Sequence, residues 1–139
     1  MGIGSILFGA GEGKRLRPLT NSVPKPAVPL LDIPLGAFGL AALLRVAAPV
    51  IVNASRNAAV LEASLRAYLP EGWELFEEGD EGYGTAGTIA ALADRFDEPI
   101  LIHNGDLLTD LDPSAVLDAH RSSGAGITLA ARTVVARPT

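Results

Sequence analysis

The 139-residue chain has no cysteine and only two histidines. Without cysteine it can form neither disulfides nor Cys-ligated zinc and iron–sulfur sites, and it offers no thiol nucleophile. Two histidines also argue against a histidine-ligated metal. We expect His103 and His120 to be structural or exposed residues.

Excess positive charge and long apolar runs are also lacking. Eleven Lys and Arg stand against 16 Asp and Glu, and the net charge of −5 argues against nucleic-acid or anionic-membrane binding through global charge. The longest apolar region is interrupted by Arg45 and Pro49, and the apolar residues 3–10 are too few for a signal peptide. Ile6 stands where myristoylation requires Ser or Thr. We therefore expect a soluble, cytoplasmic protein that binds neither nucleic acid nor membrane.

What the chain does contain is a hydrophobic fraction of 48%, enough for a real core in one domain spanning residues 1–139. Short apolar runs alternate with segments of helical periodicity. The predicted strands are 3–9, 50–52, 73–77 as an edge strand, 100–103 and 127–135 as the closing strand. The predicted helices are 35–46, 56–69, 85–96 and 112–122. This alternation predicts an α/β fold whose mostly parallel sheet is covered on both faces.

A glycine-rich loop follows the first predicted strand, within a proline-rich connection over residues 10–33 that is predicted to be an ordered functional loop. It is not a Walker A loop, because Phe8 and Arg15 replace the required glycine and hydroxyl residue. The spacing does not fit a dinucleotide fingerprint either. Four cations lie within twelve residues: Lys14, Arg15, Arg17 and Lys25. They indicate a basic patch of triphosphate size, or alternatively a solvated charged loop.

Two further segments stand at predicted element ends. Residues 84–87 (Gly-Thr-Ala-Gly) begin a helix, and residues 104–106 (Asn-Gly-Asp) follow a strand. In a parallel sheet, ligands bind beyond the carboxyl ends of the strands, so Asp106 is a candidate ligand for phosphate-bound Mg²⁺. The alternatives are a capped helix start for the first segment and an Asx turn for the second. Asp110 and Asp112 are expected to cap the next helix.

These segments together resemble the signature of the sugar-1-phosphate nucleotidyltransferases. The resemblance comprises residues 11–20 (GEGKRLRPLT), residues 24–30 (PKPAVPL) and the two later segments, in the family's order. It implies a Rossmann-like three-layer α/β/α fold, and it implies that the chain is the nucleotide-binding front half of a longer domain.

The resemblance also assigns roles to single residues. Arg15 would neutralise the departing pyrophosphate, Lys25 would hold the reacting phosphates, and Asp106 would bind Mg²⁺. The nucleotide-binding set it implies is Ala10 and Gly11 near the base, Gly13 near the phosphates, Gly87 against the base, Glu78 at the base edge, and Lys14. Lys14 stands where the family usually has Thr or a small residue, so it either adds a phosphate contact or points to solvent.

The function implied is Mg²⁺-dependent joining of a nucleoside triphosphate to a sugar 1-phosphate, with release of pyrophosphate. Attack on the α-phosphorus needs in-line positioning and cations, and it needs no covalent nucleophile. The alternatives are a nucleotide-binding or regulatory module without catalysis, and a molybdopterin-type nucleotidyltransferase, which fits residues 17–20 less well. The base, the sugar and the oligomeric state are not readable from the sequence.

Overall fold

Short strands and helices alternate along the protein, which a computed structural model describes for residues 3–11, 13–96 and 99–133. In chain order the elements are β1 (Gly4–Phe8), β2 (Pro29–Leu30), β3 (Ile33–Pro34), α1 (Leu35–Leu44), β4 (Val50–Ala54), α2 (Ala58–Arg66), β5 (Trp73–Glu77), α3 (Gly84–Leu92), β6 (Ile100–Asn104) and α4 (Pro113–Ser123). The alternation predicted from apolar periodicity is therefore present from β1 to α4.

Four of the strands form one parallel sheet in the order β5-β4-β1-β6. Ile6 of β1 stands in register with Ile51 of β4 on one side and Ile102 of β6 on the other. Strand β5 is an edge strand, which confirms the prediction for residues 73–77. Strands β2 and β3 pair as a separate antiparallel hairpin within the long loop.

The sheet packs against helices on both faces because consecutive residues of its strands are apolar and point to opposite faces. Leu7 and Val52 belong to a buried cluster that includes leucines of α1 and α2. Ile6 and Ile51 point the other way and pack against Leu92 of α3. Burial of each such side chain stabilises the fold by about 1.5–3 kcal/mol. The predicted three-layer, Rossmann-like α/β/α fold is thus confirmed.

The predicted closing strand is wrong over the residues that are described. Residues 127–133 form no strand, and 134–135 lie outside the described residues. A strand requires a neighbouring edge for its backbone groups and a core for its side chains. Ile127 and Leu129 are 81% and 84% exposed. In the described part of the chain, this segment therefore has no neighbouring strand to pair with, although its side chains are β-branched and apolar.

The long loop over residues 10–33 is ordered by short 3-10 turns at Lys14–Leu16, Leu19–Asn21 and Lys25–Ala27. The Thr20 hydroxyl donates a 2.8 Å hydrogen bond to the carbonyl oxygen of Gly13. Gly13 has φ of +56°, and a Cβ there would lie 2.8 Å from the Thr20 side chain. Glycine is therefore required at this turn. Among the described residues, no helix has the length and apolarity to cross a bilayer.

Candidate functional site

A cavity of about 570 Å³ opens at the carboxyl ends of the parallel strands. Ligands of open α/β sheets occupy this position. The main cavity is lined by Phe8, Gly9, Ala10, Gly11, Gly13, Lys14, Arg15, Leu16, Lys25, Pro26, Asn53, Ser55, Glu78, Asp80, Glu81, Gly82, Gly84, Thr85, Asn104 and Asp106. The residues to which the resemblance assigns a role are therefore brought to one cavity, with the exception of Gly87.

The glycine loop enters the main cavity through a close backbone approach to β4. The Gly9 N–H donates to the Asn53 carbonyl oxygen at 3.1 Å. A Cβ on Gly9 would lie 2.5 Å from that oxygen, so only glycine fits. Gly11 is different, because a Cβ there would have no neighbour within 4 Å. The loop is thus anchored at Gly9 and open to the cavity at Gly11. Glu12 of the loop motif lies outside the described residues.

Lys25 and Asp106 meet in the main cavity although 81 residues separate them. The Lys25 Nζ lies 2.6 Å from Asp106 Oδ2, and the two side chains are 32% and 42% exposed. Gly105 permits this arrangement, since its N–H donates to the Phe8 carbonyl oxygen at 2.8 Å and its Cβ would lie 2.6 Å from the same atom. The segment 104–106 does form a turn, because the Leu107 N–H donates to the Asn104 carbonyl oxygen at 3.2 Å. That turn presents the Asp106 carboxylate to the cavity.

The four cations of the loop do not form a single patch. Lys14, Arg15 and Lys25 line the main cavity. Arg17 lines a side pocket of about 270 Å³ together with Gly11, Thr20, Asn21, Pro24, Arg56 and Asn57. Three cations are therefore placed to meet a phosphate chain in the main cavity, and the fourth faces elsewhere.

Glu78 is a buried carboxylate, 6% exposed, that follows the edge strand β5, whereas Asp106, the partner of Lys25, follows β6 at the other edge of the sheet. Its Oε1 accepts from the Asn53 amide at 2.8 Å and from the Thr88 hydroxyl. Its Oε2 accepts from the Tyr83 N–H at 2.8 Å. A buried carboxylate needs such donors to offset its desolvation. The hydrogen bonds fix Glu78 in position at the cavity wall.

The segment 84–87 lies at the start of α3, as predicted. Gly84 and Thr85 line the main cavity, whereas Gly87 lies inside the helix and is not among the lining residues. A Cβ on Gly87 would lie 2.9 Å from the Cβ of Tyr83. The structure thus gives Gly87 a packing role, and its contact with a base stays a prediction.

Asn53 is a site residue that sequence reasoning missed. Its side chain is 2% exposed and bonds to the glycine loop as well as to Glu78. The available signal was an amide at the end of an otherwise apolar strand, residues 50–54. Buried polar side chains are hydrogen-bonded, so such a residue points to a fixed contact at the ligand-bearing edge.

Asp112 and the two histidines behave as predicted, whereas Asp110 lies two residues before the N-cap of α4, so the expectation that it caps this helix is wrong. Asp112 caps α4 by accepting from the Ser114 N–H at 3.1 Å. His103 lies 2.7 Å from the Asn104 carbonyl oxygen, and the His120 ring lies 2.9 Å from the Thr128 hydroxyl. Within residues 3–11, 13–96 and 99–133, no three His, Asp or Glu side chains cluster as a metal-binding group.

Comparison with known proteins defines the class. The sequence model of the family described as "Nucleotidyl transferase" matches residues 4–139, and the chain belongs to that family. It is 35% identical over 133 residues to a mannose-1-phosphate guanylyltransferase of Mycobacterium tuberculosis, covering 91% of this chain and 36% of the relative. It is 33% identical over 147 residues to a UTP–glucose-1-phosphate uridylyltransferase of Synechocystis, covering 94% and 37%. These relatives favour the sugar-1-phosphate class over the molybdopterin alternative.

Solved structures agree on the fold. A UDP-glucose pyrophosphorylase complexed with UDP-glucose superimposes with a TM-score of 0.70 at 17% identity, covering 89% of this chain and 55% of that one. The Acinetobacter baumannii enzyme of the same name also gives 0.70, at 18% identity and 54% of its length. The chain thus spans somewhat over a third of these curated relatives and about half of the solved structures.

Proposed function

We propose that the chain forms the nucleotide-binding part of an enzyme that joins a nucleoside triphosphate to a sugar 1-phosphate and releases pyrophosphate. The observation that carries this proposal is the meeting of Lys25 and Asp106 at 2.6 Å in the cavity that the glycine loop also lines. Membership of the nucleotidyl transferase family supports it, as do the names of the relatives.

In the proposed reaction, a phosphate oxygen of the sugar 1-phosphate attacks the α-phosphorus. The bond from that phosphorus to the bridging β-phosphate oxygen breaks, and its electron pair leaves with pyrophosphate. Catalysis then consists of positioning and of placing cations near the oxygens that gain charge. Lys25 would hold the reacting phosphates, Arg15 would neutralise the departing pyrophosphate, and Lys14 would add a phosphate contact. All three line the main cavity.

Asp106 fits the role of a Mg²⁺ ligand by the chemistry of its donor atoms. Mg²⁺ prefers oxygen ligands and is usually held by one or two carboxylates, with phosphates and water completing its shell. One partly exposed carboxylate beside a basic cavity meets that requirement. When bound, Mg²⁺ supplies positive charge to the phosphate oxygens.

The nucleoside would lie toward Glu78. Ala10 and Gly11 would contact the base, Gly13 the phosphates, and the Glu78 carboxylate would accept a hydrogen bond from an N–H of the base edge. Gly87 belongs to this proposal through the resemblance, whereas Gly84 and Thr85 are the residues of that segment that line the cavity. A cytoplasmic location remains a prediction.

The test is thermal unfolding of the chain with Mg²⁺ and each of GTP, UTP, dTTP, CTP and ATP. A nucleotide present at about 100 times its Kd should stabilise the protein by about 2.7 kcal/mol. Lys25→Ala and Asp106→Asn should reduce the shift, and EDTA should reduce it only in the wild type and in Lys25→Ala. The absence of a shift with every nucleotide would overturn the proposal. Binding of a nucleotide without pyrophosphate release from any sugar 1-phosphate would favour the non-catalytic binding module.

A further inference from the structure

Asn53 is a buried side chain through which two walls of the main cavity, the start of the glycine loop and the Glu78 turn, are hydrogen-bonded to each other. It lies on β4, between β1, which leads into the glycine loop, and β5, which leads to Glu78. In register, it stands opposite Phe8 of β1 and Phe76 of β5. It is therefore the strand residue from which a short amide side chain can reach both connections.

The oxygen and the nitrogen of the Asn53 side-chain amide are hydrogen-bonded to different walls of the cavity. Its Oδ1 accepts from the Gly9 N–H at 2.7 Å and lies 3.3 Å from the Ala10 nitrogen. Its Nδ2 donates to Glu78 Oε1 at 2.8 Å and to Thr88 Oγ1 at 3.2 Å. Rotating the amide by half a turn would direct N–H toward N–H and oxygen toward carboxylate, so only one orientation satisfies all partners.

Burial gives this arrangement its rigidity. Asn53, Glu78 and Thr88 are 2%, 6% and 0% exposed, so water cannot readily replace a lost partner. The Thr88 hydroxyl donates to Glu78 and accepts from Asn53, so all three side chains are mutually bonded. A displacement of any one of them forces the other two to adjust.

We infer that Asn53 is a positioning residue that couples the start of the glycine loop to the Glu78 turn, so that the two walls of the nucleotide site move together. This inference rests on the proposed function insofar as those walls hold the nucleotide. The coupling itself is a property of the protein without ligand. It can therefore be tested separately.

Two substitutions disturb the coupling: the first acts from the far side, at a residue not bonded to the glycine loop, and the second changes Asn53 itself. Thr88→Val keeps the shape of Thr88 and removes its hydroxyl, and Thr88 has no bond to Gly9 or Ala10. Asn53→Asp keeps an oxygen for both loop N–H groups but places a second carboxylate beside Glu78. Thr88→Ser retains the hydroxyl and is the matched control. Ile51→Val, two residues from Asn53 on the same face of β4, shortens a core side chain there without removing a hydrogen bond and controls for a general loss of core packing.

The measurement is amide hydrogen exchange without ligand at Ala10, at Tyr83 and at Ile6, which is fully buried on the inner strand β1 and reports global opening. Coupling predicts that Thr88→Val and Asn53→Asp accelerate exchange at both Ala10 and Tyr83 by about tenfold relative to Ile6, a change of about 1.4 kcal/mol. Thr88→Ser and Ile51→Val should cause no such difference. Acceleration at Tyr83 alone, or equal acceleration at Ile6, would overturn the inference.

Nucleotide titration then separates this inference from the proposed function. If wild-type protein binds a nucleotide, Thr88→Val should raise its Kd by about tenfold, and Thr88→Ser should restore it. An unchanged Kd in Thr88→Val would refute the coupling at the nucleotide site. If wild-type protein binds no nucleotide, the proposed function fails, and hydrogen exchange still decides whether the two walls are coupled.

Discussion

The two ends of the main cavity are built in opposite ways. At the ion-pair end, Lys25 and Asp106 come from two loops and remain about one third to two fifths exposed. At the buried end, Asn53, Glu78 and Thr88 come from β4, the β5 connection and α3 and are almost completely enclosed. One end contains a partly exposed ion pair, and the other consists of mutually bonded, buried polar groups.

This difference in burial determines which groups can exchange their partners for a ligand and which cannot. A partly exposed ion pair contributes about 0–1 kcal/mol, so Lys25 and Asp106 can exchange each other for phosphate and metal at little cost. A buried polar group that loses its partner costs about 1–3 kcal/mol. We therefore expect substitutions at the ion-pair end to affect nucleotide binding and turnover with little effect on folding, and substitutions at the buried end to affect both folding and binding.

The largest expected effect is on turnover at the ion-pair end. Lys25→Ala and Asp106→Asn should each reduce turnover by about 10²-fold or more, because oriented charge is lost where the transition state needs it. The free energy of unfolding should change by no more than about 1 kcal/mol. Turnover is followed as pyrophosphate release and stability by urea unfolding.

Arg95→Ala is the matched control for this prediction. Arg95 forms an equally short ion pair with Glu74, at 2.6 Å, on the exposed surface away from the cavity. The Arg95→Ala substitution should leave turnover unchanged. Wild-type turnover in Lys25→Ala or Asp106→Asn would contradict the assigned roles.

The next largest effect is on stability where the glycine loop meets β4. Gly9→Ala would place a Cβ 2.5 Å from the Asn53 carbonyl oxygen and 2.8 Å from Leu61. The backbone must shift to admit it, and overpacking of this kind costs about 1–3 kcal/mol. Urea unfolding measures the loss. If the Gly9→Ala protein were as stable as wild type, the contact between Gly9 and the Asn53 carbonyl oxygen would not be tight enough to require glycine.

A smaller loss is expected within the buried end. Thr88→Val removes the hydroxyl that donates to Glu78 and accepts from Asn53, which should lower the free energy of unfolding by about 1–2 kcal/mol. Thr88→Ser, which keeps the hydroxyl, should recover most of that loss in urea unfolding. If Thr88→Val leaves the free energy of unfolding unchanged, buried hydrogen bonding is not what distinguishes the two ends of the cavity.

The smallest effect on stability is expected at Gly11. A Cβ at Gly11 meets nothing within 4 Å, so Gly11→Ala should change the free energy of unfolding by no more than about 0.5 kcal/mol. The added methyl group would nevertheless stand in the main cavity, and the Kd for nucleotide should rise. Isothermal titration gives the Kd. An unaltered Kd would place the nucleotide away from Gly11.

Local patterns in the sequence were reliable guides to the elements and to most of the site. The apolar runs predicted β1, β4 and β6, the alternation of apolar and charged residues predicted β5, and the cap at Asp112 predicted the start of α4. Apolar composition failed for residues 127–133, because strand formation depends on a neighbouring edge that composition does not reveal. Asn53 was overlooked for a similar reason, since its importance depends on partners that are distant in sequence.

The sequence by itself determined the alternation of strands and helices, the glycine loop, and the residue types available at each strand end. Only the tertiary structure decided which of these residues meet. Strand β6 lies beside β1, which brings Asp106 to the loop that carries Lys25, and β4 lies between β1 and β5, which brings Asn53 between Gly9 and Glu78. The physical reason is that strand order results from packing and pairing over the whole sheet, whereas motif and periodicity are properties of neighbouring residues.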